Sequence, residues 1–486
     1  MEDEVIGYVV GKSTIEEVTI LMEKSIRVGE YVIFEYGNEK VLGVVTSISA
    51  ESPVFDEDLN NIEVAKKIRK MDRATVFLKA KAKLLCRIED FKQPILPPFP
   101  GTEVKIANEQ DLAKIFSNGD IRIGTLIGRN VEVKINVNAL TRHLAILATT
   151  GSGKSNTVAV LSSRFAELGG TVLIFDYHGE YYNSDIKKLN PVDPLINPLH
   201  LSPSEFASLL EIRNNASRQQ RILRKAFKIF IDETKKKLEK GSISYSSLDD
   251  VFFDLLSSKI LEIARGDPAG DEVVNKLDDF LDRYEEIINF AIGTITDRLK
   301  QGFVNVIDLS SVGEEIVDPI MANYLKKILY ERKKNKVRGK GGLEFPIVNV
   351  IEEAHVFLSK DENRSTKYWA KRIAREGRKF GVGLIIVSQR PKGIDENILS
   401  QMTNKIILKI VEPSDKRYIL EASDNLSQDL VNSLSSLNTG EAIIIGNIVK
   451  IPAMVKIDKF EGKLGGEEPP LLPKKDDNEG DFLDFI

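Results

Sequence analysis

The stretch Leu144–Val158, LAILATTGSGKSNTV, constrains the fold of this chain more tightly than any other. An apolar run, LAIL, stops at a small glycine-containing turn, and a helix-forming segment starts after Lys154-Ser155. In that order of strand, loop and helix, backbone N–H groups of the turn and of the new helix wrap a polyphosphate. Gly151 and Gly153 allow positive φ and close backbone approach. Lys154 brings a point charge to the β and γ phosphates, and Ser155 offers its hydroxyl to Mg²⁺. Thr150, Ser152 and Asn156 complete the expected cradle. Ala148 stands where the usual pattern begins with glycine, but the phosphate-wrapping part is intact. A nucleoside triphosphate with Mg²⁺ is the expected ligand.

Such a loop works at the carboxyl end of a parallel strand, so further buried strands are expected beside it. TVLIFD ends at Asp176, FVNVIDLS at Asp308 and PIVNVIEEAH at Glu352-Glu353. Each strand-end acid could serve Mg²⁺ through water, as a Walker B residue does. The third is favoured because a second acid follows at once. Glu352 then sits in the Mg²⁺ shell while Glu353 orients and deprotonates the attacking water. Asp176 and Glu180 are expected at the edge of the site, and Asp308 is expected to be a turn residue. The strand Val382–Ser388 carries Gln389 at its tip, where a neutral amide can report on the γ-phosphate. The preceding helix, AKRIAREGRKFG, presents Arg372, Arg375 and Arg378. One guanidinium beside a neighbouring γ-phosphate would stabilise transition-state charge; Arg378 is the first candidate and Arg375 the second. NKIILKI, EAIIIG and NIVKIPAMVKI supply the remaining strands of an α/β, doubly wound, largely parallel sheet.

Around this core the chain divides. Residues 1–99 hold short β-branched and aromatic runs at close spacing, the pattern of a small β-barrel, with one helix, NNIEVAKKIRKM. The proline run QPILPPFPG closes that segment, and Gly101–Val137 is expected to lead into the core, residues 100–201 and 301–460. Between them, 202–300 shows helical spacing of Leu, Phe and Ile, which reads as an inserted helical bundle whose aromatics are core. The tail, 461–486, holds eight acids and three bases and is expected to be disordered, with DFLDFI a candidate docking peptide.

The whole chain has 73 acidic and 68 basic residues, a net charge of −5, so the body outside the tail is balanced at 65 against 65. A balanced body is compatible with nucleic acid when the basic groups are gathered in one channel. Lys360, Arg364 and Lys367, in the loop leaving the Glu352-Glu353 strand, are the candidates for contacting a DNA backbone. RKKNKVRGK, Arg332–Lys340, enters that strand from its other end and is expected to be a solvated loop. A single cysteine, Cys86, no basic leader and no 18-residue apolar run point to a reducing cytoplasm and exclude a membrane span. His143, His178, His200 and His355 have no metal-ligand spacing.

Together TTGSGKSNT, DYHGEY, VIEEAH and REGRKFGVGLIIVSQRP resemble the archaeal HerA proteins of the HerA–FtsK ATPase superfamily, over nearly the whole chain. The resemblance implies a RecA-like P-loop core with an N-terminal barrel and an inserted bundle. It implies a homohexameric ring that uses ATP and Mg²⁺ to translocate on double-stranded DNA as a helicase. It further implies work with a NurA-type nuclease, within the archaeal double-strand-break repair complex, in resecting DNA ends. By position it makes Lys154, Ser155, Glu352, Glu353 and Gln389 site residues and Arg378 a finger acting in trans. Arg142, Lys459 and Phe460 fall where the family closes around the nucleotide. Membrane-anchored DNA pumps of the superfamily need spans or a DNA-reading module that this chain lacks. An ATP-gated scaffold that assembles a nuclease without moving on DNA is the alternative.

Overall fold

A computed structural model describes residues 5–55, 59, 61–70, 76–213, 215–423 and 426–465. The acidic tail beyond Gly465, with DFLDFI, lies outside the described residues. The amino-terminal part comprises β1 (Val5–Val10), β2 (Glu17–Met22), β3 (Tyr31–Tyr36), β4 (Glu39–Glu51), a helix α1 (Ile62–Lys70), β5 (Phe77–Arg87) and β6 (Glu103–Ile106). The six strands close into a barrel in the order β1-β2-β5-β4-β3-β6. The sixth strand therefore comes from beyond the proline run, past the boundary expected at Phe99. Four residues, EVKI, carry too little periodicity to be read as a barrel strand in isolation. Side chains alternate across each strand: Val32 and Phe34 of β3 fill the barrel interior, whereas Tyr31 and Ile33 pack outward against the core of the next domain. Lys40 on the barrel also pairs with the buried carboxylate of Asp111 across this junction.

The second part begins with α2 (Glu109–Phe116), which carries Asp111, and the hairpin β7 (Ile121–Leu126) and β8 (Glu132–Ile135). Then come β9 (Leu144–Leu147), α3 (Lys154–Glu167), β10 (Val172–Asp176) and β11 (Leu189–Val192). The insertion follows as α4 (Pro203–Leu209), α5 (Ser217–Glu239), α6 (Ser246–Ala264), α7 (Pro268–Tyr284) and α8 (Ile295–Arg298). The core resumes with β12 (Val304–Asp308), α9 (Glu314–Arg338), β13 (Ile347–Ile351), α10 (Ala354–Phe357), α11 (Ser365–Glu376) and β14 (Val382–Ser388). It ends with β15 (Asn404–Ile407), β16 (Glu441–Ile445) and β17 (Ala453–Ile457).

These strands form one 11-stranded sheet, β11-β12-β10-β13-β14-β9-β15-β16-β17-β7-β8. From β11 to β15 every pairing is parallel; from β16 to β8 every pairing is antiparallel. Part of the expected lead-in is thus the antiparallel edge of the sheet itself. The parallel strands are buried on both faces. Ala145 and Leu147 of β9 face the layer holding α9, α11 and the inserted bundle, while Leu144 and Ile146 face α3 and β7. Each buried Leu or Ile side chain among them contributes about 1.5–3 kcal/mol on burial. In the insertion, Phe206 stacks on Phe227 at 4.3 Å and Phe280 on Tyr284 at 4.6 Å, so its aromatics form its own core. Among the described residues no helix is long and apolar enough to cross a membrane.

The basic run from Arg332 differs from expectation. It is the last part of α9, which ends only at Gly339 in the left-handed conformation. Lys and Arg are good helix formers, and the charge pattern hid the helix. Arg332 is not solvated: it is buried, donating Nε to the Phe380 carbonyl at 2.9 Å and Nη1 to that of Leu343 at 2.8 Å.

Candidate nucleotide-hydrolysis site

All four residues of β9 are buried, and the ladder continues one residue further, with the Ala148 N–H donating to the Ser388 carbonyl at 3.1 Å. Ala148 is itself fully buried, so the residue replacing the usual glycine acts as strand, not as cradle. Thr149 turns the chain outward, donating both its N–H and its hydroxyl to the Lys409 carbonyl. Gly151 and Gly153 follow at φ 73° and 102°. Gly153 caps α3 without any side-chain bond, so the first N–H groups of that helix are left for a ligand. They open into a cleft of about 480 Å³ lined by Lys154, Ser155, His178, Glu180, Glu352, Glu353 and Gln389, among others. Sequence-distant strands β9, β10, β13 and β14 deliver these groups to one place because all four end on the same edge of the sheet.

The two acids after β13 have opposite environments. Glu352 is buried, and its Oε1 accepts from the Tyr181 hydroxyl at 2.7 Å. Its Oε2 is buried without a hydrogen-bond partner. Burial, with Glu180 and Asp176 nearby, pushes its pKa well above the usual carboxylate range. An orphaned buried carboxylate oxygen in the cleft of Ser155 fits the need of a divalent cation, which would satisfy both. Glu353 occupies the left-handed region, at φ 43° and ψ 43°, an unfavourable conformation for a glutamate. Its Oε1 faces His178 Nε2 at 3.4 Å; its Oε2 faces His355 Nδ1 at 3.1 Å and Gln389 Nε2 at 3.3 Å. Burial opposes its charge, but hydrogen bonds from His178 and His355 and the charge of Lys154 outweigh that effect. The carboxyl is held well below its usual range. Gln389 in turn accepts from the Thr150 hydroxyl at 2.5 Å, so one amide links the phosphate loop to Glu353.

The competing strand-end acids are committed elsewhere. Asp176 accepts from the backbone N–H groups of Glu180, Tyr181 and Tyr182 at 2.8–2.9 Å, folding the DYHGEYY segment into a tight loop. Asp308 holds the N–H and hydroxyl of Ser310. Asn156 does not point into the cleft alone: its Nδ2 donates to the Asp458 carbonyl and its Oδ1 accepts from the Phe460 N–H. That clamp brings Lys459 and Phe460 against α3, where they line an adjoining cavity with Arg164 and Asp185.

Four arginines lie away from this edge. Arg142 ends the short turn preceding β9, at the opposite end of that strand from the phosphate loop. Arg375 and Arg378 sit just before β14, which at about 3.3 Å per residue separates them by roughly 20 Å from Gln389 at its other end. Both are exposed, with no acidic partner among the described residues. Arg372 is tied instead, to Glu376 at 2.8 Å and over the rings of Trp369 and Tyr330. Of the three cations after β13, Lys360 is exposed. Arg364 donates to Glu362 and lies over Phe357, and Lys367 donates to the Ser359 carbonyl.

The sequence alone gives no role at the site to Tyr181, His178 or His355. The two histidines lack metal-ligand spacing and are hydrogen-bond partners of the Glu353 carboxylate. The signal lay in their motifs: one follows Asp176 by two residues, the other follows Glu353 by two.

Two family models match the chain: "Helicase HerA, central domain" over residues 121–328 and "HAS barrel domain" over residues 6–90. The chain is 61% identical over 473 residues to the DNA double-strand break repair helicase HerA of Sulfurisphaera tokodaii, covering 96% of each. It is 55% identical to the protein of that name from Saccharolobus solfataricus, covering 96% of this chain and 95% of the relative. With that from Pyrococcus furiosus it shares 34% identity over 77% of each. Among solved structures, VirB4 of Thermoanaerobacter pseudethanolicus superposes with a TM-score of 0.51 at 15% identity, over 71% of this chain and 98% of that one, a likeness of fold.

Proposed function

Because this chain belongs to the HerA family of DNA double-strand break repair helicases, we propose that its cleft hydrolyses ATP to drive a homohexameric ring along double-stranded DNA. The protein is an ATP-driven DNA-repair helicase or translocase. The finer reading rests on one observation above all: the carboxylate of Glu353, held ionised, is bonded to Gln389, which is bonded to the phosphate loop.

In this reading the helix N–H groups and Lys154 bind the phosphates, and Glu353 takes a proton from the attacking water. Ser155 and Glu352 would hold Mg²⁺, which when bound neutralises charge on the phosphates. Gln389, touching both Thr150 and Glu353, is suited to register loss of the γ-phosphate. Arg378, Arg375 and Arg142 lie on the edge remote from their own cleft, so any nucleotide they touch is a neighbouring subunit's. That supports a ring in which each site is shared, with Arg378 as the finger. Lys459 and Phe460, clamped by Asn156 beside the cleft, would close on the nucleotide from the adjoining cavity. Lys360, exposed in the segment between α10 and α11, is the leading DNA contact, with Arg364 and Lys367 behind it. A NurA-type nuclease and a role in end resection complete the proposal.

The test is ATP hydrolysis stimulated by duplex DNA, with triplex displacement measured in parallel, on the wild type and Glu353→Gln. Removing a general base should cost about 10²–10⁴-fold in kcat while nucleotide still binds. Hydrolysis without displacement, with or without a nuclease, would instead favour a scaffold that assembles a nuclease and does not move.

A further inference from the structure

We propose that His178 is a positioning residue for hydrolysis, held in place by the loop after β10 so that Glu353 presents its carboxylate in one orientation. The proposal rests on the reading of Glu353 as the base. Three observations carry it.

The first is the division of labour at the carboxylate. His355 and Gln389 both address Oε2, and His178 is the group facing Oε1. His355 follows Glu353 by two residues on the short helix α10 and moves with it. His178 comes from the loop after β10 and holds Oε1 from one side, while Gln389, at the tip of β14, holds Oε2 from the other. Without it only Oε2 stays held, and the carboxylate plane is free to swing about that one anchored oxygen.

The second is the rigidity of the loop that carries His178. Asp176 gathers three successive N–H groups of that loop, and Gly179 makes its turn at φ 72°. Tyr177 packs edge-on to Phe357 of α10 at 5.2 Å and to His178 at 5.0 Å, so loop and helix share an aromatic contact. The same loop sends the buried Tyr181 to Glu352. One seven-residue segment, Asp176–Tyr182, therefore reaches both acids.

The third is that the carboxyl-terminal segment locks the loop from outside. After leaving Asn156 it pairs with Asp185 through Lys463, and the Gly465 N–H donates to the Glu180 carbonyl at 2.7 Å. A Cβ at Gly465 would meet the Gly179 carbonyl oxygen at 2.5 Å, so only glycine permits this approach. The segment thus ties the phosphate-loop helix to the loop that orients the acids.

A group that orients a base acts on the chemical step and leaves nucleotide binding alone. The variants are His178→Phe, which keeps the ring against Tyr177 and loses the donor, and His178→Gln, which keeps a donor. DNA-stimulated ATPase and binding of a fluorescent ATP analogue are measured on the full-length protein. His178→Phe should lower kcat roughly 10- to 100-fold, with KM and analogue affinity within about twofold. His178→Gln should recover most of kcat. In a Glu353→Gln background His178→Phe should change the residual rate by less than about twofold, since no base remains to orient. Unchanged kcat, an equal loss with and without Glu353, or a Gln variant no better than Phe would each overturn the proposal. A wild type that shows no DNA-stimulated hydrolysis would sink the parent reading instead.

Discussion

Two histidines of this chain illustrate how one residue type is put to opposite uses. His178 is half-exposed beside Glu353, whose hydrogen bond raises its pKa. His143 is buried just before β9 at φ 64°, its Nδ1 accepting from the Leu384 N–H at 3.1 Å. Burial pushes its imidazole down to about 4. Between that value and the unfolded value near 6.5, the unfolded chain binds the extra proton. The stability from keeping His143 neutral is therefore complete above about pH 6.5 and is lost as pH falls towards 4. The full difference is about 3 kcal/mol. His143→Asn keeps an acceptor and tolerates positive φ. Melting temperatures recorded from pH 7 to 4.5 should fall less steeply for that variant than for the wild type; parallel curves would refute the assignment. The same scale explains why the pKa values of Glu352 and Glu353, adjacent in sequence, are pushed in opposite directions. Backbone reversal at Glu353 sends one carboxyl into the protein beside Tyr181 and the other towards three donors.

At the level of elements, the sheet is the device that assembles the site and α9 is the strut behind it. α9 packs on α11, and Arg332 near its end bonds the carbonyls of Phe380 and Leu343. This holds the turn bearing Arg378 against the start of β14. Arg332→Met retains the aliphatic stem and leaves two buried carbonyls unpaired, at about 1–3 kcal/mol each. Denaturant titration should show that loss, with DNA affinity and its salt dependence unchanged. A reduced salt slope with normal stability would instead make this run a DNA-facing surface. Strands are legible in the sequence where they are continuously apolar and buried, as β14 is and β13 nearly is. The strands β6, β7 and β8 are short or mixed in pattern and become strands because a barrel and a sheet edge offer them partners.

For the molecule as a whole, the distance between the phosphate loop and Arg378 decides what must be tested. The two lie at opposite ends of the same parallel strands, so in the proposed ring each subunit would offer two half-sites facing apart. If sites are shared, Lys154→Ala and Arg378→Ala chains, each inactive alone, should regain activity when co-assembled, because some interfaces then join an intact loop to an intact arginine. ATPase measured across mixing ratios reads this directly. Absence of any recovery, with mixed assembly confirmed by tagged pull-down, would place the arginine's action elsewhere. The charge balance is consistent with such an arrangement, since net charge says nothing of where basic groups gather.

The phosphate loop, the Glu352-Glu353 pair, Gln389 and the run of arginines were legible in the chain because each is a local pattern: strand, turn and helix in sequence, with chemistry fixed at the turn. Their resemblance as a set also identified the family. What only the tertiary structure decided is who touches whom. Parallel packing of β10 beside β13 turned His178 and Tyr181 into partners of two acids some 170 residues away, as the Tyr181–Glu352 separation of 171 records. It removed Asp176 from contention by closing a loop around it, and it converted a basic run into a helix with a buried arginine. Contacts between loops depend on strand order, and strand order is a property of the folded sheet that no local pattern encodes.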